Sequence, residues 1–242
     1  MDAYRNAPEL LMPEPELQPT LTAPAHSPLP PHPPYQLTSI HAIIRDGILF
    51  LTFSAADKFP RLNRWALTQI RYYMSILEKN SDLRGAIITG TEKCFAAGAE
   101  LAEVSVLTAD QAFAFAKLGR ATMKSIEKNS KPVIAAIRGY CMGGGLDLAL
   151  ACHIRIATPD AALAHRGATL GLVTGWGGTQ RMPRILGPRG KSIAIEVMAS
   201  GRFINAPEAY ALKLISKIIP PESLQQEALS YTTPRTNSAP NQ

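Results

Sequence analysis

Two apolar stretches joined by glycines, between residues 132 and 151, restrict the fold of this chain more than any other feature. The stretch Pro132–Ile137 is short and apolar and stops just before a glycine, which is typical of a buried strand. Gly143–Gly145 then lead into Leu146–Ala151, which is apolar except for Asp147 and predicts a buried helix. A buried strand followed closely by a buried helix is a building unit of α/β domains.

Strand and helix signals alternate along most of the chain. Asp46-Gly47 lies between two apolar stretches and is the strongest short signal for a β-hairpin. Thr108 and Gln111 form a capping box, which predicts the start of a helix. The expected strands are 40–45, 48–53, 85–89, 132–137, 153–157 and 162–164, and the expected helices are 62–77, 108–128, 146–151, 179–186 and 191–198. This rhythm of strand, strand and helix predicts an α/β domain.

The first 35 residues differ from the rest in composition. They hold ten of the twenty prolines and carry four acidic residues against one basic residue, so residues 36–242 have a net charge of +9 against +6 for the whole chain. Because proline resists both helix and sheet, we predict a disordered arm over 1–35. We predict one domain over 36–228 and a polar tail over 229–242, which has no apolar periodicity.

Several classes of protein are disfavoured by the sequence. No apolar run approaches the roughly 20 residues that span a bilayer, and the N-terminus lacks the pattern of a secretory signal. Cys94, Cys141 and Cys152 show no metal-binding or disulfide spacing, so we expect reduced thiols in a cytoplasmic protein. The basic domain suits an anionic partner. A dense Lys/Arg stripe with interleaved aromatic residues is absent, so nucleic-acid binding is disfavoured.

Two segments of small residues, Cys94–Leu101 and Gly139–Asp147, are the candidates for chemistry. Alanine and glycine leave backbone N–H groups unshielded, and glycines at the start of a helix let an anionic group approach closely. Two such donors converging on one point would form an oxyanion hole, worth about 3–4 kcal/mol for each donor. The alternative interpretation is that both segments are tightly packed turns.

Three stretches in a fixed order carry a resemblance to a known family. They read VIAAIRGYCMGGGLDLALACHIRIAT, GWGGTQRMPRILG and SGRFINAPEAYALKLISKIIP. In this order and spacing the chain closely resembles the enoyl-CoA hydratase/isomerase (crotonase) superfamily over residues 40–224. The resemblance implies a spiral of ββα units that binds an acyl-CoA thioester, with CoA as part of the substrate and no separate cofactor or metal. It also implies a homotrimer or hexamer and a further C-terminal helical region, which we expect to be truncated here.

The resemblance also assigns roles to individual residues. The backbone N–H groups of Ala99 and Gly144 would hold the thioester oxygen. Ala97, Ala99, Glu100 and Leu101, together with Gly144, would contact CoA, whose phosphates suit the basic domain. Trp176, which stands between glycines, either lines the acyl pocket or belongs to the core.

The family's two catalytic carboxylates are altered in this chain. Hydratases of the family place glutamates directly after the glycine run and twenty residues later, where this sequence has Asp147 and Gly167. Loss of a positioned acid or base removes roughly 10²–10⁴-fold in rate. His165 is a candidate replacement, since strand alternation would put it on the same side as Gly167. Alternatively, His165 is an ordinary strand residue and Asp147 only a partner of the helix dipole.

The expected activity is hydration of a 2-enoyl-CoA by an enoyl-CoA hydratase-like lyase, with Asp147 as the surviving acid/base. The partner is then an acyl-CoA thioester rather than nucleic acid or a membrane. A catalytically weak acyl-CoA-binding homologue is the main alternative, because Gly167 carries no acid. A crotonase-type isomerase or decarboxylase is another, although Gly175 stands where dienoyl-CoA isomerases carry a further acid.

Overall fold

A computed structural model describes residues 38–188 and 190–232 of the protein. The predicted arm over 1–35 lies outside the described residues, as does the predicted tail from residue 233 onward. The described chain forms two β-sheets with helices packed against them. The ten strands are β1 (Ser39–Arg45), β2 (Ile48–Ser54), β3 (Gly85–Thr89), β4 (Cys94–Ala96), β5 (Val133–Ile137), β6 (Tyr140–Met142), β7 (Ile154–Ala157), β8 (Ala162–Ala164), β9 (Ile204–Asn205) and β10 (Lys217–Ile218).

Eight α-helices are found in the same part of the chain. They are α1 (Arg64–Lys79), α2 (Leu101–Val104), α3 (Ala109–Glu127), α4 (Gly144–Ala151), α5 (Gly178–Leu186), α6 (Gly190–Ser200), α7 (Ala206–Ala211) and α8 (Leu224–Ser230). The predicted capping box is present, because Thr108 accepts from the N–H of Gln111 and the Gln111 side chain accepts from the N–H of Thr108. α8 continues to Ser230, two residues past the predicted end of the domain.

The larger sheet has the strand order β1-β2-β3-β5-β7-β10. Its first pair is the predicted hairpin, in which Asp46 and Gly47 both have positive φ angles, of 50° and 72°. These angles match the tight hairpin turn that an Asp-Gly pair favours. The other pairs of this sheet are parallel, and β3, β5 and β7 are its central strands, of which β5 is fully buried.

The smaller sheet has the order β4-β6-β8-β9, with a last pair that is antiparallel. Successive strands alternate between the two sheets: β3, β5 and β7 belong to the larger sheet, and each is followed by a short strand of the smaller one. The chain therefore winds as a spiral of ββα units, and the predicted α/β fold is confirmed.

The apolar core lies between the sheets and the helices. The α1 side chains Leu67, Ile70 and Met74 are buried in it, together with Phe53 and Phe95, whose rings meet edge to face with centroids 6.2 Å apart. Within the described residues, none of the helices has the length and apolarity needed to cross a membrane.

The prediction that His165 and Gly167 share one strand is wrong. β8 ends at Ala164, and Arg166–Leu170 form a 3₁₀ turn. The reason lies in the neighbouring strand β6. Ala164 pairs with Met142, the last residue of β6, and after Met142 the backbone turns into α4. Beyond Ala164, β6 therefore offers no further residue for pairing, and β8 ends before His165.

Candidate active site

The two small-residue segments meet at one point, where Gly98 approaches Gly144. The N–H of Leu62 donates to the carbonyl of Gly98 (2.7 Å), and the N–H of Glu100 donates to the carbonyl of Leu62 (3.1 Å). In such a parallel bridge the intervening residue, Ala99, directs its own N–H away from Leu62. A Cβ placed on Gly98 would lie 3.5 Å from the backbone nitrogen of Gly144, so the segments are in close contact.

The second N–H group belongs to Gly144, the first residue of α4. Its N-cap, Gly143, has a φ of 50°, and the first N–H groups of a helix have no acceptor within the helix. Within residues 38–188 and 190–232, neither Ala99 nor Gly144 donates its N–H to a protein acceptor. Both residues line the same cavity. The arrangement supplies two unpaired donors at a helix N-terminus, which suits an oxygen that gains negative charge.

Trp176 forms one wall beside these donors. It is 5% exposed, and its ring meets that of Phe115 edge to face at a centroid distance of 5.5 Å. A Cβ on Gly144 or on Gly119 would overlap the indole ring, so glycine is required at both positions for the ring to pack. Trp176 therefore both lines the cavity and packs against α3 and α4, and the two interpretations of this residue are compatible.

The cavity beside Trp176 has a volume of about 1050 Å³ and is mostly apolar. Its walls come from α2 and α3, from the segment 165–176, and from α5 and α6. The basic side chains in the wall are Arg61, Arg166 and Lys191, whereas no Asp or Glu of the described chain lines it. An apolar cleft with basic residues suits a long ligand that has an apolar end and anionic groups.

Arg61 was not predicted from the sequence as a site residue. Its neighbours Pro60 and Leu62 hydrogen-bond to the segment 97–100, which places Arg61 beside the predicted CoA-contacting residues. Its guanidinium donates to Asp57 at 2.7 Å and stays partly exposed. The only sequence signal was its place in a basic domain, and the contact with segment 97–100 depends on the fold.

The predicted CoA-contacting residues divide into two groups. Ala97, Ala99 and Leu101 line the cavity. Glu100 does not: it is 9% exposed, and its side chain accepts from the N–H of Ala102 and so caps α2. Any contact of Glu100 with a ligand would therefore go through its backbone rather than its carboxylate.

Asp147 is fully buried in α4 and does not form part of the cavity wall. The hydroxyl of Thr174 donates to its Oδ2 atom. Burial raises the pKa of Asp147 to about 6, although the Thr174 hydrogen bond and the positive charge of Arg181 act in the opposite direction. The carboxyl group thus titrates close to neutral pH.

His165 lies between Asp147 and the cavity. Its Nε2 atom is 3.5 Å from Oδ1 of Asp147, and its ring, 3% exposed, lines the cavity. Burial lowers the pKa of His165 to about 4, so the imidazole is neutral near pH 7. The structure therefore brings together two of the predicted catalytic residues, and His165 is the one that lines the cavity.

Gly167, at the position of the family's second acid, has no room for a side chain. A Cβ placed there would lie 2.7 Å from the carbonyl oxygen of Leu172, whose N–H in turn donates to the carbonyl of Gly167 (2.8 Å). At Gly175 a Cβ would lie 3.3 Å from the methyl of Ala116, which is tight. The backbone of the segment 167–172 thus occupies the space that the first carbon of an acidic side chain at residue 167 would need.

The spiral of ββα units, with two unpaired backbone N–H groups in one cavity, defines a class of crotonase-like folds with a candidate oxyanion hole. Comparison with known proteins gives the family. The sequence model described as enoyl-CoA hydratase/isomerase matches residues 44–242. The chain belongs to this family, and the resemblance noted in the sequence is confirmed.

Two relatives illustrate the extent of the similarity. The chain is 38% identical over 167 residues to crotonyl-CoA hydratase of Syntrophomonas wolfei, a match that covers 69% of this chain and 63% of that protein. It is 31% identical over 194 residues to short-chain-enoyl-CoA hydratase of Clostridium acetobutylicum, covering 80% of this chain and 73% of that one. The chain thus spans about two thirds of the length of these relatives.

Solved structures show the same fold. Enoyl-CoA hydratase from Bacillus anthracis superposes with a TM-score of 0.74 at 32% identity, over 81% of this chain and 75% of that one. DspI from Pseudomonas aeruginosa superposes with a TM-score of 0.75 at 27% identity, over 80% of this chain and 72% of that one.

Proposed function

We propose that this protein binds a 2-enoyl-CoA thioester and adds water across its double bond, as an enoyl-CoA hydratase-like lyase. The observation that carries the proposal is the pair of unpaired backbone N–H groups of Ala99 and Gly144 in one cavity. The two relatives named as enoyl-CoA hydratases support this choice of reaction.

The two donors account for the activation of the substrate. When the oxygen of water bonds to the β-carbon, electrons move through the double bond onto the thioester oxygen and form an enolate. Hydrogen bonds from Ala99 and Gly144 stabilise this charge by about 3–4 kcal/mol each, because their N–H groups are already oriented before the charge develops. A proton delivered to the α-carbon then completes a 3-hydroxyacyl-CoA.

The rest of the cavity suits the CoA part of such a substrate. Ala97, Ala99 and Leu101 offer a wall of small and apolar residues, and Arg61 and Lys191 supply positive charge. CoA carries a diphosphate and a 3′-phosphate, so basic residues at the cavity favour its binding. In this proposal CoA enters as part of the substrate, and no further cofactor is required.

A second function is favoured by one specific observation. Because no carboxylate of the described chain lines the cavity and residue 167 is glycine, the protein could bind acyl-CoA thioesters with little or no turnover. This alternative and the hydratase use the same oxyanion hole. They differ only in whether the protein transfers the protons that hydration requires.

The deciding experiment measures hydration of crotonyl-CoA by loss of its enoyl-thioester absorbance, together with calorimetric binding of a saturated acyl-CoA. Ala99→Pro provides the matched variant, since it removes the N–H while the Leu62 bridge uses only the neighbouring residues. We expect turnover to fall roughly 10²–10³-fold in this variant. Binding without turnover in the wild type would replace the hydratase by the acyl-CoA-binding protein, and absence of both would refute either function.

We also propose that the protein assembles as a homotrimer or hexamer. Leu170, Val173, Phe203 and Tyr210 are all exposed, with Val173 83% exposed, and burial of such apolar surface would favour association. Light scattering at micromolar concentration tests this, and a monomer would contradict it. The cytoplasmic location stays a prediction; the three cysteines on which it rests are all free and buried in the structure.

A further inference from the structure

We propose that His165 is the catalytic residue that moves the proton in this reaction, and that buried Asp147 is a positioning residue that orients and stabilises its imidazole. The inference rests on the proposed hydratase function and names the acid/base of that same site. It differs from the expectation drawn from the sequence, in which Asp147 itself acted on the substrate.

Asp147 cannot reach a ligand in the cavity directly. Its side chain has no exposed surface and is absent from the cavity wall. Thr174 donates to Oδ2, and Oδ1 faces His165. The carboxylate, one methylene shorter than a glutamate, is thus enclosed by its own neighbours.

His165, in contrast, is well placed for proton transfer to a ligand in the cavity. Among the described residues it is the one imidazole or carboxyl side chain that lines the cavity. The residue before it, Ala164, accepts a hydrogen bond of 2.8 Å from the N–H of Gly143, directly beside the Gly144 donor. The imidazole therefore enters the cavity next to the proposed oxyanion hole.

The two ring nitrogens of His165 would have different roles. Nε2 is enclosed and lies 3.5 Å from the enclosed Oδ1 of Asp147, and neither atom forms a hydrogen bond within the described chain. In the proposed pair the two atoms move to hydrogen-bond distance, so that Nε2–H donates to the carboxylate. That tautomer leaves Nδ1 as the proton acceptor, as in other catalytic pairs in which a carboxylate fixes an imidazole.

The charges around the pair suit this role. Burial lowers the pKa of His165, so the imidazole is neutral near pH 7 and depends on a neighbouring negative charge to hold a proton. The groups near the Asp147 carboxylate are the Thr174 hydroxyl, the backbone N–H groups of Trp176 and Gly178, the Cys141 thiol and Arg181. The Arg181 guanidinium is already bound to Glu127 and to the carbonyl of Trp176. The remaining negative charge of Asp147 is available to stabilise an imidazolium.

The proposed step balances without any further reactant. Nδ1 of His165 takes one proton from water as the water oxygen bonds to the β-carbon, and the enolate forms on the thioester oxygen. The imidazolium, stabilised by Asp147, then gives that proton to the α-carbon, and the thioester carbonyl is restored. One hydrogen and one hydroxyl group are added, and both side chains return to their starting forms.

The test compares His165→Gln, Asp147→Asn and the control His41→Gln, whose ring is exposed and contacts Ser54. We expect His165→Gln to turn over roughly 10²–10⁴-fold more slowly than the wild type with little change in KM, and the control to be unaffected. Asp147→Asn should lower kcat and also alter its pH profile. Imidazole added to His165→Ala should restore part of the turnover, because the ring it replaces lines the cavity.

The outcomes separate this inference from the proposed function. Turnover by the wild type that His165→Gln keeps and Asp147→Asn abolishes would overturn the dyad and leave the hydratase intact. Absence of wild-type turnover would refute the hydratase and the dyad together. Acyl-CoA binding and circular dichroism, measured on every variant, ensure that a lost fold is not taken for a lost proton transfer.

Discussion

Oδ1 of Asp147 and Nε2 of His165 lie 3.5 Å apart, and neither atom forms a hydrogen bond within the described chain. Burial affects the two groups in opposite directions, raising the pKa of the carboxyl to about 6 and lowering that of the imidazole to about 4. Between these values the carboxyl is protonated and the imidazole neutral. Above pH 6 the pair carries the single negative charge that the proposed mechanism needs.

The rate of turnover should therefore fall at acidic pH. As pH drops through about 6, Asp147 becomes protonated and can no longer stabilise an imidazolium, so we expect kcat to decrease roughly tenfold per pH unit. Thr174 and Arg181, which face the carboxyl, oppose the raised pKa and set where the decline begins. The measurement is the rate of crotonyl-CoA hydration at saturation from pH 5 to 8, and Asp147→Asn should lose this acidic limb. An unchanged limb in that variant would assign the titration to another group.

The folding stability of two variants should depend on pH in opposite ways. Relative to the double variant His165→Gln/Asp147→Asn, His165→Gln keeps the raised pKa of Asp147, so its native state binds the extra proton and its stability difference decreases by about 3 kcal/mol as pH rises from 4 to 6. Relative to the same double variant, Asp147→Asn keeps the lowered pKa of His165, so its stability difference increases by about 3 kcal/mol as pH rises from 4 to 6.5. Urea unfolding of the three variants at each pH gives both differences, from which the other titrating groups cancel. Two differences that change in the same direction would show that burial does not control this pair.

A substitution at Gly178 tests the contact between Asp147 and His165 without changing a residue of the cavity wall. Gly178 is the first residue of α5 and does not line the cavity, but a Cβ there would overlap Oδ1 of Asp147 and lie 2.8 Å from Nε2 of His165. Gly178→Ala should thus push the pair apart and lower kcat at least roughly tenfold, with acyl-CoA affinity retained. A comparison with Ala168→Gly, in the 3₁₀ turn, controls for general effects of small changes near the cavity. Normal kcat in Gly178→Ala would show that the pair does not need close contact.

Restoring the family's second acid should fail. In Gly167→Glu the Cβ would lie 2.7 Å from the carbonyl oxygen of Leu172, so the turn must open before the carboxylate can face the substrate. We expect no gain in kcat and a loss of about 1–3 kcal/mol in the free energy of unfolding. Steady-state kinetics and urea unfolding measure the two effects. A rise in kcat would mean that the turn rearranges readily and that a carboxylate at residue 167 is the missing group.

Arg61 should affect binding rather than the chemical step. Arg61 lines the cavity beside the segment 97–100, so Arg61→Ala should raise KM for crotonyl-CoA severalfold at low salt and leave kcat nearly unchanged. The matched control is Arg71→Ala, an exposed position on α1. The same KM for both variants would remove Arg61 from the CoA site.

The elements of this fold were largely predictable because their signals are local. Asp46-Gly47 sets the hairpin through its own φ angles, and Thr108 starts α3 through a hydrogen bond to a residue three positions away. The placement of His165 failed for the opposite reason. The end of β8 is decided by where β6 turns into α4, and a sequence read along one strand does not contain that information.

The residues proposed for the site were named from the sequence, but their arrangement was not predictable. The glycine and alanine segments indicated where unshielded N–H groups would lie, and the resemblance to the family assigned the two donors to Ala99 and Gly144. The contacts among the side chains were not predictable, because Asp147, His165 and Thr174 come from three separate segments and meet only through the winding of the chain. The comparison with the family's two acids named Asp147 and His165 but gave no sign of Thr174 or of the contact between the pair.

The position of Trp176 against Gly144 gives the protein an optical reporter of its own site. The chain has two tryptophans, of which Trp176 is 5% exposed and Trp65 is 48% exposed on α1. In Trp65→Phe the remaining emission would come from an indole that touches the start of α4, where the thioester oxygen would bind. Its intensity should change on occupancy whether or not a reaction follows, so one fluorescence titration could follow ligand association in active and inactive variants alike.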